Sequence, residues 1–583
     1  MRPFSTGTPN NMTSNKFLRP AILAGIVVTL FLLVIEWGKF QDRKAELAEQ
    51  ARLGTDDTTA AVDDYQLPSQ ASAVQSTPAT NSESDLELPT SRNDTKATPP
   101  QIPVDSSRFI TVETDVLRVQ IDPNGGDIVR TELLEHTRKL GGDEPLVLLN
   151  RAGSSVYIAQ SGLLGANGID VGGKRPLYRS SQQSYVLQGD TLNVDLNFSQ
   201  DEVRYTKRFV FSKDRYLIDI RYLIDNQSST AWTGSMFGII KRDDTVPQSG
   251  AGVGLRPYFG AVISTTEKNY LEVKFDDIAD DGPLSERREG GWVALAQHYF
   301  ISAWVPSKSE INSFEIAQSK TLSNLYQMSF VSETKIVAPG EAVEFGAAFY
   351  TGPKDINRLE AIAPHLDLTI DYSFLWWLAK PMFKVLSFIQ SYVGNWGIAI
   401  ILFTALIKLL FLYPSAISYR SMARMKKFQP KMAQLRERYG DDRQKMSSEL
   451  MKLYKDEKVN PLGGCLPIVL QMPFFLAFYW VLMESVELRH ASFLWINDLS
   501  ARDPYFILPI LMGTAMFLSQ KMHPTPADPT QAKVMKALPV VFTALFMFFP
   551  AGLVLYWTVN NILSTVQQFL INKQIEKQSA KTA

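Results

Sequence analysis

The run LFTALIKLLFLYP, residues 402–414, constrains this chain most, because it sets a lysine inside a stretch otherwise apolar enough to cross a bilayer. An ammonium at the bilayer centre costs on the order of 3 kcal/mol on insertion scales. Lys408 therefore either snorkels to the cytoplasmic interface, roughly 9 Å away at 1.5 Å per residue, or has a task within the membrane.

Neighbouring apolar runs turn this into a topology. The expected spans are 397–413 (TM2), 462–483 (TM3), 505–520 (TM4), 535–549 (TM5) and 553–570 (TM6), since the stretch from 535 to 570 is too long for one helix and Pro550, Ala551 and Gly552 break it. Residues 414–461 carry twelve Lys and Arg against six acids, whereas 484–504 carry two against four. The positive-inside rule makes the first loop cytoplasmic and the second periplasmic, with 521–534 a cytoplasmic loop and 571–583 a basic cytoplasmic tail. The fifteen residues of 535–549 give roughly 22 Å at 1.5 Å per residue, against a hydrocarbon core of about 30 Å, so the bilayer should thin locally.

Upstream, Arg2, Lys16 and Arg19 precede AILAGIVVTLFLLVIEW, and Glu36, Trp37, Gly38 and Lys39 make a poor cleavage site. Residues 1–40 read as a cytoplasmic N-tail and an uncleaved signal anchor. Residues 41–104 have eleven acids against five basic residues and no Trp or Phe, the composition of a disordered periplasmic linker. From 105 to 355 the pattern becomes period-2 alternation, as in FITVETDVLRVQID, SYVLQGDTLNVDLNF, RYLIDIRYLID and EFGAAFYTG. This predicts a large all-β sandwich built without disulfides.

Catalysis is not expected there. His136 and His298 are far apart in sequence and no metal-ligand spacing, nucleophile elbow or phosphate loop accompanies them; Asp276, Asp277, Asp280 and Asp281 read as a solvated acidic loop. In the connecting segment 356–396, Lys380, Lys384, Ser387 and Ser391 recur at helical spacing beside Trp376 and Trp377. An amphipathic helix in the outer membrane interface follows, with a buried helix of the β domain as the alternative. In 414–461 two apolar stripes, Met422 to Tyr439 and Met446 to Tyr454, predict a basic helical hairpin with a kink near Pro430 and a turn at Gly440-Asp441. Arg424, Lys426, Lys427, Lys431, Arg436 and Arg438 are its candidate docking residues, for anionic lipid or for phosphate-rich partners.

The runs GNWG (394–397), NPLGGC (460–465), QMPFFLAFYW (471–480), SVELR (485–489), DLS (498–500), DPYFILPILMG (503–513) and FPAGLVLYW (549–557), in this order and spacing, resemble the YidC family of membrane protein insertases. The resemblance implies a polytopic α-helical membrane protein of six transmembrane helices, five forming the insertase core. It also implies a periplasmic β-supersandwich of the sugar-mutarotase type. It further implies a water-filled groove, open to cytoplasm and lipid, with a positive residue that falls on Lys408; bacterial members often have arginine there. Nascent membrane proteins would be the clients, and the Sec translocon, the ribosome, the signal recognition particle receptor and membrane lipids the partners. No cofactor, metal or small-molecule substrate is expected.

The residues themselves add polar neighbours to that charge. Thr404 lies one turn before Lys408, Gln471 lies on the second core helix, and Trp557, Asn560 or Asn561, Ser564 and Gln567 or Gln568 form a stripe on the last. Such groups converge on a cavity or bond neighbouring helices. Phe475, Phe478 and Trp557 are the expected aromatic and aliphatic surface along which a client slides, and Tyr556 is a further groove residue. No Walker motif is present, so direct ATP hydrolysis is not expected. A scaffold lacking insertion activity, a secondary transporter and a sugar-modifying enzyme are the competing classes. The scaffold is the closest rival and should tolerate an apolar residue at 408.

Overall fold

The computed structural model describes residues 108–152, 155–171, 174–247, 257–320, 322, 324–439, 442–456, 466–523 and 529–582. The expected signal anchor and linker, the NPLGGC run with Cys465, the turn at 440–441 and the side chain of Arg436 lie outside the described residues.

Between Ile110 and Pro353 the described residues form twenty strands in an eleven-stranded and a nine-stranded sheet. The period-2 stretches are strands because every second side chain can leave water. Phe209, Phe211, Ile218, Ile220 and Tyr222 all face the core, and the register sets Ile220 opposite Phe209 on one side and Ala347 on the other. Charge is buried as well. Lys207 donates to the carbonyls of Gly125 (3.0 Å) and Ser161 (3.1 Å), while Arg175 pairs with Asp170 (2.6 Å) and with Asp127. Gly126, at φ +63°, passes so close that a Cβ would come within 2.8 Å of the Lys207 stem.

The helices in order are α1 (Phe275–Asp281), α2 (Ile356–Ile362), α3 (Trp376–Val393), α4 (Trp396–Leu410), α5 (Leu412–Lys427), α6 (Gln429–Tyr439), α7 (Arg443–Asp456), α8 (Leu466–Glu484), α9 (Ile507–Met522), α10 (Pro529–Phe546) and α11 (Ala551–Thr582). Several differ from expectation. The acidic run is the exposed face of α1, folded because Phe275 and Ile278 anchor its other side. Pro414 does not end the helical path: the chain bends by 68° at Phe411, and Pro414 falls in the first turn of α5, where a missing N–H is harmless. The break before Pro430 falls at Phe428, because in a continuous helix the proline ring would meet the carbonyl of Lys426. α10 starts ahead of 535, and the tail after 570 is a continuation of α11.

Among the described residues no single helix is long and apolar enough to cross a membrane; α4 and α5 meet that test only as a bent pair, and 470–484 and α9 are shorter apolar helices. α3 is more complex than one apolar face. Ala379, Met382, Phe383 and Leu386 pack inward against α4 and α8, while Trp376, Trp377, Phe388 and Tyr392 stay exposed, and Lys380 is paired with Asp367 (2.7 Å) and Glu360.

The β domain grips the C-terminal end of α8 and the loop after it. His298 Nε2 donates to the Met483 carbonyl (2.9 Å), Arg489 donates to the Thr137 carbonyl (2.9 Å) and lies over Phe300, and His490 shares a hydrogen bond with the Thr137 hydroxyl (3.1 Å). Burial pushes His298 down to about 4, so it stays neutral with its proton on Nε2.

Candidate functional site

Lys408 stands in the last turn of α4, 7% exposed. Its Nζ donates to Gln471 Oε1 on α8 (3.2 Å) and to Ser564 Oγ on α11 (2.7 Å). The Ser564 hydroxyl in turn donates to the Asn560 carbonyl (2.6 Å). Three helices thus close on one ammonium, and among the described residues its partners are two neutral oxygens.

Helical spacing accounts for the α11 contribution. Trp557, Asn561, Ser564 and Gln568 follow at intervals of four, three and four, which stacks them on one face. Trp557 Nε1, Asn561 Nδ2 and Gln568 Oε1 are buried without a hydrogen-bond partner. The stripe therefore runs through Asn561 and Gln568. Asn560 offers its carbonyl to Ser564, and Gln567 fastens α11 to the Leu412 carbonyl at the bend (3.1 Å).

Three expected residues sit elsewhere. Thr404 is buried and its hydroxyl donates to the carbonyl of Ile400 in its own helix (2.6 Å), as a threonine in an apolar helix does when no outside acceptor is offered. Phe478 is fully buried, stacked on Phe403 at 4.9 Å and packed on Tyr556 at 4.7 Å, so it and Tyr556 are core pillars and not a sliding surface. Phe475 and Trp557, in edge contact at 4.5 Å, are only partly buried. The exposed apolar residues of the two flanking helices are mostly aliphatic: Leu402, Leu406, Leu409 and Leu410 on α4, and Ile562, Val566 and Leu570 with Phe569 on α11.

Arg424, Lys426 and Lys427 crowd the last turn of α5, where cations suit the carbonyl end of the helix dipole. Lys431, with its ammonium 5.4 Å from the Phe428 ring centre, and Arg438 are exposed on α6. One residue escaped the sequence reading: Tyr419, buried on α5, packs with Met422 and with Ile571 of α11. Its assignment to a cytoplasmic loop concealed it, although a buried face at helical spacing (Ser415, Ser418, Tyr419, Met422) was the available signal.

The site has relatives. The families described as YidC periplasmic domain and 60Kd inner membrane protein match residues 109–385 and 388–578. The chain is 56% identical over 474 residues to the membrane protein insertase YidC of Saccharophagus degradans, covering 81% of this chain and 84% of that one. It is 48% identical over 566 residues to that of Cellvibrio japonicus, covering 96% and 99%. Among solved structures it is similar to an active YidC insertase with the first transmembrane domain resolved, at 18% identity and a TM-score of 0.36, covering 79% of this chain and 92% of that one.

Proposed function

Because the chain belongs to the family of the membrane protein insertase YidC, we propose that it inserts nascent membrane proteins into the inner membrane through a hydrophilic groove centred on Lys408. The observation that carries this reading is a cation held by two neutral oxygens beside a stripe of buried polar atoms with no partner. An unmet buried donor or acceptor costs about 1–3 kcal/mol, so a hydrophilic segment entering the groove gains what the empty groove lacks. An acidic tail gains most, because a charge-assisted bond is about twice as strong as a neutral one.

The steps follow from polarity. The client's short hydrophilic end replaces part of its hydration with Lys408, Asn561, Trp557 and Gln568, while its apolar segment moves sideways into lipid along the leucines of α4 and the aliphatic residues of α11. Burial of that segment drives the transfer, and an acid moving outward gains about 2.3 kcal/mol per 100 mV of inside-negative potential. α4, at fifteen residues, is roughly 22 Å long at 1.5 Å per residue, short of a hydrocarbon core of about 30 Å, and a thinned bilayer shortens the polar path. We assign six spans, both termini to the cytoplasm, and α3 to the outer interface. The basic residues of α5 and α6 are the docking face for the ribosome and the signal recognition particle receptor, and the Sec translocon takes over clients with long external domains. No covalent step is required of any residue.

The test is crosslinking of stalled nascent chains to probes at 408, 475, 557 and 561, with insertion assays of Lys408→Ala and Lys408→Glu. We expect crosslinks at all four positions and the greatest loss with acidic-tailed clients. Normal insertion of every client by both variants would overturn the reading in favour of a scaffold that only assists packing.

A further inference from the structure

We propose that Gln567 is a positioning residue for Lys408: its side chain staples the α4–α5 break to the helix that carries Ser564. The inference rests on the reading of Lys408 as the charge that attracts the client.

At Phe411 the helical path turns by 68°, and Pro414 has no N–H to give the Leu410 carbonyl, so the backbone alone holds the break weakly. Lys408 stands in the last turn of α4 before the break, and Leu412 directly follows it. Both are tied to α11: Lys408 Nζ donates to Ser564 Oγ (2.7 Å), and Gln567 Nε2 donates to the Leu412 carbonyl (3.1 Å). Ser564 and Gln567 are neighbours at i and i+3 on one helix, so α11 spans the break with one bond on either side. Phe411 adds a third hold, buried in edge contact with Phe474 of α8 at 4.9 Å.

A lysine stem is flexible, so the place of its ammonium depends on where the last turn of α4 stands against α11. The Gln567 bond fixes that turn from the far side of the break. Around it Leu409, Leu410, Tyr413, Val566, Phe569 and Leu570 are exposed and, on the membrane reading, face lipid, where no water competes for the amide or the carbonyl. α5 also carries Arg424, Lys426 and Lys427 in its last turn. A partner that pulls on this helix therefore loads the Gln567 bond before it disturbs the charge.

The full-length chain is reconstituted in phospholipid vesicles and given two forms of one short client, with an acidic tail or with that tail neutralised by Asp→Asn changes. Gln567→Met keeps an unbranched side chain and its helix preference and removes only the donor. It should slow insertion of the acidic client about three- to tenfold, the range of interhelical hydrogen bonds in membranes, and leave the neutral client at its former rate. In a Ser564→Ala background the added loss should be smaller, because the oxygen at which Lys408 is aimed is gone. Spin labels at the exposed positions 417 on α5 and 511 on α9, in a chain whose single cysteine is replaced by serine, should give a broader distance distribution in Gln567→Met than in the parent. An unchanged rate with the acidic client, equal slowing of both clients, full additivity with Ser564→Ala, or a distribution as narrow as the parent's would each overturn the proposal. Lys408→Ala is run alongside: if it is impaired while Gln567→Met is not, only the positioning role fails, whereas normal insertion by Lys408→Ala removes the reading beneath it.

Discussion

At position 408 the partners of the lysine ask for single donors, which on the proposed reading is why it can serve there. An ammonium has three rotatable N–H groups, and two of them reach Gln471 and Ser564 without the planar fork that an arginine would have to satisfy. The charge was legible in the sequence because a lysine amid leucines is conspicuous, but its partners lie 63 and 156 positions away and depend on how three helices are rotated, which local spacing leaves open. Hence the choice between Asn560 and Asn561 needed the structure. His298 gives the residue-scale prediction. In the folded chain burial pushes it down to about 4, while an unfolded histidine titrates near 6.5. Below about 6.5 the unfolded chain takes up a proton that the folded one refuses, so this contribution to stability is lost as pH falls from about 6.5 to about 4. His136, also pushed down to about 4, acts in the same direction; Glu487, pushed up to about 7 by burial, acts in the opposite one. His298→Gln keeps an N–H donor for Met483 and cannot titrate, so its melting temperature should drop less than the parent's between pH 7 and pH 5. Equal drops would show that His298 does not carry the acid sensitivity.

Helices α9 and α10 show what a missing side chain allows. A Cβ on Gly513 would collide with the Thr543 hydroxyl, which itself donates to the Pro539 carbonyl at 2.7 Å. The two helices touch backbone to side chain at this point. Gly513→Ala should therefore cost about 1–3 kcal/mol, in the range of overpacked cores, read as a lower midpoint in denaturant titration in detergent. Thr543→Ala in the same chain should recover part of that loss. Strand positions were legible because alternation is a local property of the chain. Helix ends were less so, and for stated reasons: Pro414 is tolerated in a first turn, Pro430 moves a break two residues upstream, and α11 runs on through polar residues to Thr582 because nothing after Leu570 stops a helix. Phe478 and Phe475 look alike in sequence and both meet Tyr556, but Phe478 stacks on Phe403 while Phe475 turns to Trp557.

Across the whole molecule, the β domain and the helical core are fastened at the C-terminal end of α8, whose N-terminal half carries Gln471. Arg489 and His490 both reach Thr137, so Arg489→Ala together with His490→Ala should loosen the two parts. Spin-label distances between a β-domain site and one on α9 should broaden, and a distribution as narrow as the parent's would show that His298 and the buried loop suffice. This fastening was hidden from sequence, because Thr137 and Arg489 are 352 positions apart and the SVELR run that holds Arg489 gives no sign of its partner. The two neutral oxygens around Lys408 also have a consequence for what can pass. Among the described residues no acid pairs with Lys408, so on the proposed reading the client brings the counter-ion. One ammonium can be neutralised only once, so a second acid on the same tail finds no match and stays in water. The cost of transfer should then rise stepwise with each acid beyond the first, which makes the valence of the tail, more than its length, the natural limit on cargo.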